Sequence, residues 1–193
     1  MRLVVLVVLA LAGPAFGDGA YVSTSLGGVA HRGDLARFDD PNGTPNFQLG
    51  IGFVRGPWAV EVFRSRIDPN LFGDAFFTDC YGDECTAVRE DSLGLTEYGI
   101  DLRRAWLVLR PRWTEKVHID FVLHGGPRVV AADQSLASYR GLALGGGAAI
   151  DLNIRWISIY LDFTTALVEL HGNGESYVGS LPSVMYGVRF GWM

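Results

Sequence analysis

The stretch Trp156-Ile157-Ser158-Ile159-Tyr160-Leu161-Asp162-Phe163-Thr164-Thr165-Ala166-Leu167-Val168-Glu169-Leu170 alternates with a period of two. Ile157, Ile159, Leu161, Phe163, Thr165 and Leu167 fall on one face; Ser158, Tyr160, Asp162, Thr164 and Ala166 fall on the other. Period two is a strand, because successive side chains of an extended backbone point to opposite sides. Seven further runs read the same way, so that the eight span about 19–28, 46–54, 57–66, 95–109, 117–130, 140–152, 156–170 and 183–193. The second sets Phe47, Leu49, Ile51 and Phe53 against Gln48, Gly50 and Gly52. The fifth sets Val117, Ile119, Phe121 and Leu123 against His118, Asp120, Val122 and His124. The eighth sets Val184, Tyr186, Val188, Phe190 and Trp192 against Gly187, Arg189 and Gly191. The fourth slips phase at Arg103-Arg104, which predicts a β-bulge there.

The chain has 193 residues, 49% hydrophobic and 19% charged, which fits one folded domain. Its formal charge of −5 comes without a basic stripe, so nucleic acid is not an expected partner. Two Cys and four His leave little room for a zinc cluster, and no cofactor or metal is expected. Met1-Arg2, the apolar run Leu3 to Leu11, and Ala15 and Gly17 three and one positions before a cut predict a secretory signal over 1–17. Cleavage before Asp18 removes Arg2 and takes the charge from −5 to −6. Beyond it, the longest uncharged apolar stretch, Gly141 to Ile150, is half the length of a membrane helix and holds four glycines. An exported chain of this kind is a soluble β-protein or a membrane barrel.

Three features favour the barrel. Glu61, Glu97, Asp101, Asp120, Asp151, Asp162 and Arg189 stand in mid-strand on the polar face, while the other face is almost purely apolar. Connections alternate: joins of about 17, 28, 9 and 12 residues follow runs one, three, five and seven, and the others are short, as with long outer loops and short periplasmic turns. Trp58, Trp113, Trp156 and Trp192 lie at the short-turn or C-terminal end with Trp106 close by, as an interfacial aromatic girdle requires. The expectation is an all-β, eight-stranded antiparallel transmembrane up-and-down β-barrel over 18–193. Both termini would lie in the periplasm and the long loops outside the cell.

The chain from Asp18 to Met193 resembles the small eight-stranded outer-membrane β-barrel family, like the membrane domain of outer-membrane protein A. Gly187-Val188-Arg189-Phe190-Gly191-Trp192 is similar to that family's C-terminal signal, with Gly187, Phe190 and Trp192 in its fixed positions. The chain departs from the pattern by ending one residue later, at Met193, and by carrying Met185 where a polar residue is usual. The resemblance implies residence in a bacterial outer membrane and a partnership with the outer-membrane assembly machinery.

An eight-stranded barrel is just wide enough for its own side chains to fill it. Charges enclosed there must pair, so Glu61, Asp101, Arg103, Arg104, Asp120, Asp162 and Arg189 are expected to form a cross-lumen ion-pair network. The functional alternative is a narrow, porin-like pore lined by the same carboxylates. Cys80 and Cys85, in the longest connection, read as a disulfide in an exported chain. The segment 67–91 around them holds seven acidic residues against Arg89 alone. That is either a solvated loop or a charged face for divalent-cation bridging to lipopolysaccharide, or for an unknown extracellular partner.

An enzyme would need a nucleophile, a base and an orienter. Some barrels of this size modify lipid A, but His118 is followed at +2 by Asp120 and His124 by Gly126, so the deacylase pattern His-x-Ser is absent. Glu169 and His171 share the lipid-facing parity at the end of the seventh run, and Ser176 in the next loop would complete a triad. Three polar residues near a loop arise more often by chance, so the expected role is structural or interactive and not enzymatic. Gly145-Gly146-Gly147 lacks the Lys-Ser/Thr of a phosphate loop and reads as close packing.

Overall fold

A computed structural model describes residues 19–38, 43–68, 80–81, 84–85, 94–112, 114, 117–134 and 137–191. The expected signal segment lies outside them. Eight long strands carry the alternating runs: β1 (Ala20–Val29), β2 (Thr44–Arg55), β3 (Trp58–Ile67), β4 (Gly94–Leu109), β5 (Val117–Gln134), β6 (Ala137–Ile154), β7 (Ile157–Gly172) and β8 (Ser183–Gly191). Each pairs antiparallel with its neighbours in sequence, and β8 pairs with β7 and with β1. The sheet therefore closes on itself and has no free edge around the wall.

Burial follows the predicted parity. Along β7, Ser158, Tyr160, Asp162, Ala166, Val168 and Leu170 are buried, and Ile159, Leu161, Phe163 and Leu167 are exposed. The outer wall is thus a continuous apolar surface, joined on other strands by Leu49, Val62, Ile100, Leu123, Ile150 and Val184. Glycine makes the narrow interior possible where large groups cross it. A Cβ on Gly52 would stand 2.2 Å from the Tyr21 ring, and one on Gly145 would stand 2.2 Å from the Arg128 guanidinium. Gly145 and Gly147 line the interior beside Arg128 and His124, which accounts for two of the three glycines by packing.

Two connections are shorter than the hydropathy implied. β5 and β6 hold one register from Val117↔Ile154 to Gln134↔Ala137, leaving only 135–136 between them. After β7 the chain turns at Asn173-Gly174, both with positive φ, the geometry of a tight type I′ hairpin. Glu175–Ser180 then pairs with Leu167–Gly172 in the same register that β8 keeps with the lower half of β7. Ala166 and Leu181 exchange backbone hydrogen bonds between the two stretches, so the expected loop 171–182 is an upward continuation of the wall. Long connections remain only over 30–43 and 68–93. The bulge also lies elsewhere: β4 keeps phase through Arg103 and Arg104, and its register against β5 shifts between Leu107 and Leu109. There Leu107, Val108 and Leu109 are all exposed, and strict alternation cannot place three successive apolar side chains outside.

The first long connection folds over the barrel's upper end. Arg32–Gly33 pairs with Ser180 and Gly179, and Val178 N donates to Asp34 Oδ2 at 3.1 Å. The 3₁₀ segment Asp34–Phe38 thereby drives Leu35 inward, where it is 0% exposed. Leu35 joins Val29, Ile67, Leu95, Val130, Val168, Leu170 and Leu181 in a buried apolar cluster that fills this end.

Candidate functional site

Below the apolar plug the interior is charged. At the short-turn end Arg189 Nη1 bonds the Asp151 carboxylate, and its guanidinium lies 3.9 Å from the Tyr160 ring centroid and 5.8 Å from that of Tyr21. Tyr21 and Ser23 donate hydroxyl hydrogen bonds to Glu61, each at 2.7 Å. Glu61 accepts from Arg103 Nη1 at 3.1 Å, and Arg103 Nη2 lies 3.9 Å from Asp162. Asp162 contacts His124 Nε2 at 2.9 Å while Asp101 contacts His124 Nδ1 at 2.7 Å. Arg128 follows, 4.0 Å from Asp101 and 3.3 Å from Glu97, with its guanidinium 5.1 Å from the Phe63 ring centroid. These contacts form an unbroken column from Asp151 to Glu97 along the barrel.

The column comes within one charge of balance when His124 is an imidazolium. Among the described residues, five carboxylates (Glu61, Glu97, Asp101, Asp151, Asp162) face three guanidiniums and His124. A neutral imidazole donates from one nitrogen only, so a ring held between two carboxylates is satisfied as imidazolium. All nine side chains are buried or nearly so. Such charges persist in a poorly solvated interior only because each lies against an opposite one.

Two placements differ from the expectation. Arg104 points outward, its guanidinium 4.9 Å from the ring centroids of both Trp58 and Trp106. It is a cation–π bridge on the outer wall and not a lumen group. Asp120 stands at the mouth, accepting from Asn153 Nδ2 at 3.0 Å, with His118 Nε2 at 3.3 Å, and it meets no lumen arginine. Within the lumen the pairs are Glu61 with Arg103, and Arg189 with Asp151. The stagger that closure imposes on neighbouring strands sets these partners. The prediction also left out His124, Arg128, Asp151 and Glu97 as members, although each has inward parity in its run.

Trp58, Trp106 and Trp156 are exposed on the outer wall near the short turns, where Trp106 meets Phe121 and Trp156 meets Phe190 at centroid distances of 6.2 and 6.1 Å. Trp113 and Trp192 lie outside the described residues. Gly187 packs beneath the Tyr160 ring, and Phe190 points outward. Cys80 and Cys85 are directly opposed in a two-residue ladder with Tyr81 opposite Glu84; their side chains lie outside the described residues.

The interior leaves little space. A vestibule of about 180 Å³ opens at the short-turn mouth among Trp58, His118, Asp120, Asn153, Arg103 and Arg189. Beyond the Glu61–Arg103 pair, a cavity of about 20 Å³ lies among Glu97, Asp101, His124, Arg128 and Asp162. That volume holds one water or so.

No family model and no curated protein matches this chain. Among solved structures, it is similar to the crystal structure of Neisserial surface protein A, with 9% identity, a TM-score of 0.54, and coverage of 89% of this chain and 96% of that one. Ail, the attachment invasion locus protein of Yersinia pestis, gives 13% identity, a TM-score of 0.46, and coverage of 91% and 99%. Both are small eight-stranded outer-membrane β-barrels. At such identity the likeness to the Neisserial protein speaks for the fold.

Proposed function

We propose that the chain is an integral outer-membrane barrel with a structural and interactive role. Its lumen is held shut by the ion-pair column, and it displays the acidic 67–91 segment outside the cell. The observation that carries this is the two-faced wall: large apolar side chains exposed around the circumference, enclosing charges that lie in opposite-sign contacts along the lumen. A soluble β-barrel of this size has no use for so wide an exposed apolar surface. The similarity of fold to a surface protein supports the same location, with termini in the periplasm. Plug, column and a cavity of single-water size support a closed lumen. In planar bilayers the folded protein should therefore be electrically silent. Stepwise conductance that lumen substitutions abolish and loop substitutions spare would make it a narrow pore instead.

The ladder supports a Cys80–Cys85 disulfide, since directly opposed antiparallel residues have Cα atoms about 4.5–5.5 Å apart, within disulfide reach. The thiols should resist maleimide until reductant is added. The Cys80→Ser/Cys85→Ser double variant should assemble normally, because so small a ring constrains only the loop tip. Protease sensitivity of 67–91 on intact cells should rise, and cation-dependent binding to lipopolysaccharide should fall. Failure to assemble would instead give the disulfide a part in holding the barrel.

A further inference from the structure

Glu169 and His171, which share the outward parity of one run, and Ser176, which the sequence set in the following loop, are in contact. His171 Nδ1 lies 2.7 Å from Ser176 Oγ, and His171 Nε2 lies 3.1 Å from Glu169 Oε1. The tight Asn173-Gly174 turn makes this possible, by setting Ser176 directly opposite His171 on the adjoining strand. All three are exposed on the outer wall. None belongs to the lumen column, and the barrel's closure does not depend on any of them.

We infer that Ser176, His171 and Glu169 form a nucleophile–base–orienter triad that hydrolyses carboxylic esters of membrane amphiphiles at the outer surface. With its proton on Nε2 and shared with Glu169, the imidazole presents Nδ1 as acceptor to the Ser176 hydroxyl. Ser176 Oγ attacks the ester carbonyl carbon as its proton passes to His171. The carbon–oxygen bond to the alcohol breaks, and the departing alkoxide takes that proton. Water, deprotonated by the same ring, then releases the carboxylic acid and restores the serine. No redox partner or further reactant is required. Arg140, on β6 directly opposite His171 and also exposed, supplies a positive charge beside the position where oxyanion charge develops.

The class of substrate follows from height on the wall. Leu142 and Val178 flank Glu169 on the two adjoining strands, and Leu144 flanks Leu167 one step below. These four apolar residues are all at least half exposed, and they form the top of the apolar wall. Glu169 and His171 stand two and four residues above Leu167, about 5–10 Å higher for a tilted strand. That is the boundary between acyl chains and head groups, where the ester bonds of a bilayer amphiphile lie. An open strand face with leucines beneath it suits a substrate that stays in the membrane, its chains against Leu142, Leu144 and Leu167.

The inference rests on the membrane placement proposed above, so its test uses protein already shown to be folded by its gel shift, the change in its migration on SDS gels when the sample is boiled. The full-length mature barrel is placed in vesicles of phosphatidylethanolamine alone, or with lipopolysaccharide added, and released fatty acid is measured by mass spectrometry. A fluorophosphonate probe reports the nucleophile independently of the lipid. Ser176 should be labelled, and fatty acid should appear in one arm or both; the arm identifies a phospholipid or a glycolipid as source. Ser176→Ala should abolish labelling and release. His171→Gln and Glu169→Gln, equally well folded, should lower release about 10³-fold, with Glu169→Gln also shifting its pH profile. Folded protein that neither takes the probe nor releases fatty acid in either arm would overturn the inference. Labelling without release would overturn the assignment to membrane esters.

Discussion

Arg103→Met should destabilise the barrel by about 3–5 kcal/mol, the ordinary consequence of removing one partner from a buried ion pair. Arg103 is the only arginine in contact with Glu61 among the described residues, and it reaches Asp162 on the far side of the lumen. Without it both carboxylates stay enclosed, and the interior gains an uncompensated negative charge. Urea titration of the folded protein in detergent micelles, followed by loss of the gel shift, measures the effect. Arg103→Met/Glu61→Gln should recover a large part of the loss, because the stranded charge goes with its partner. A double variant that simply adds the two single losses would mean the residues act independently and the column is not a coupled unit. The same logic applied to Arg189→Ala, which strands Asp151, predicts a loss of a few kcal/mol.

Leu161→Arg should cost about 2–4 kcal/mol, the penalty for a cation near the middle of the hydrocarbon layer on a barrel's outer face. Leu161 is exposed, with Ile150 and Tyr186 beside it on the neighbouring strands, both also exposed. Leu161→Ala should cost much less, since it leaves an apolar surface and opens no cavity in a core. Refolding into phospholipid vesicles with a denaturant titration separates the two. If the arginine were tolerated and the alanine were not, Leu161 would be packed inside protein and the two faces would be reversed.

Strand existence and facing were legible in the sequence because both come from one simple rule, apolar outside and polar or small inside, at period two. Ile157 to Leu167 show it without interruption, and the structure keeps their facing residue by residue. The rule loses its signal where the apolar belt ends. Above Leu167 the outward positions of this hairpin are Glu169, His171, Ser176 and Val178, three of them polar, and an outward polar residue no longer distinguishes strand from loop. For that reason the upper part of the β7–β8 wall read as a connection, although Asn173-Gly174 is itself a strong hairpin signal. The lumen was legible as composition and not as pairing. Which carboxylate meets which arginine depends on strand stagger, and a single chain's periodicity does not carry stagger. Arg104 misled for a local reason: beside Arg103 it resembled a phase slip, yet an interfacial cation can stay outside by lying against Trp58 and Trp106. The contact between His171 and Ser176 is likewise a product of the turn, which the polar composition of 173–176 concealed.

The central claim is that the outer face of this barrel lies in hydrocarbon. A nitroxide placed in turn at each position from 157 to 167 of the folded protein in phospholipid vesicles tests it directly. Collision with molecular oxygen and with a water-soluble nickel chelate is then measured by electron paramagnetic resonance. Oxygen accessibility should be high at 157, 159, 161, 163, 165 and 167 and low between them, deepest near 161–163, with the nickel reagent excluded from all six. Alternation in the opposite phase, or free access of the nickel reagent to the odd positions, would contradict the account.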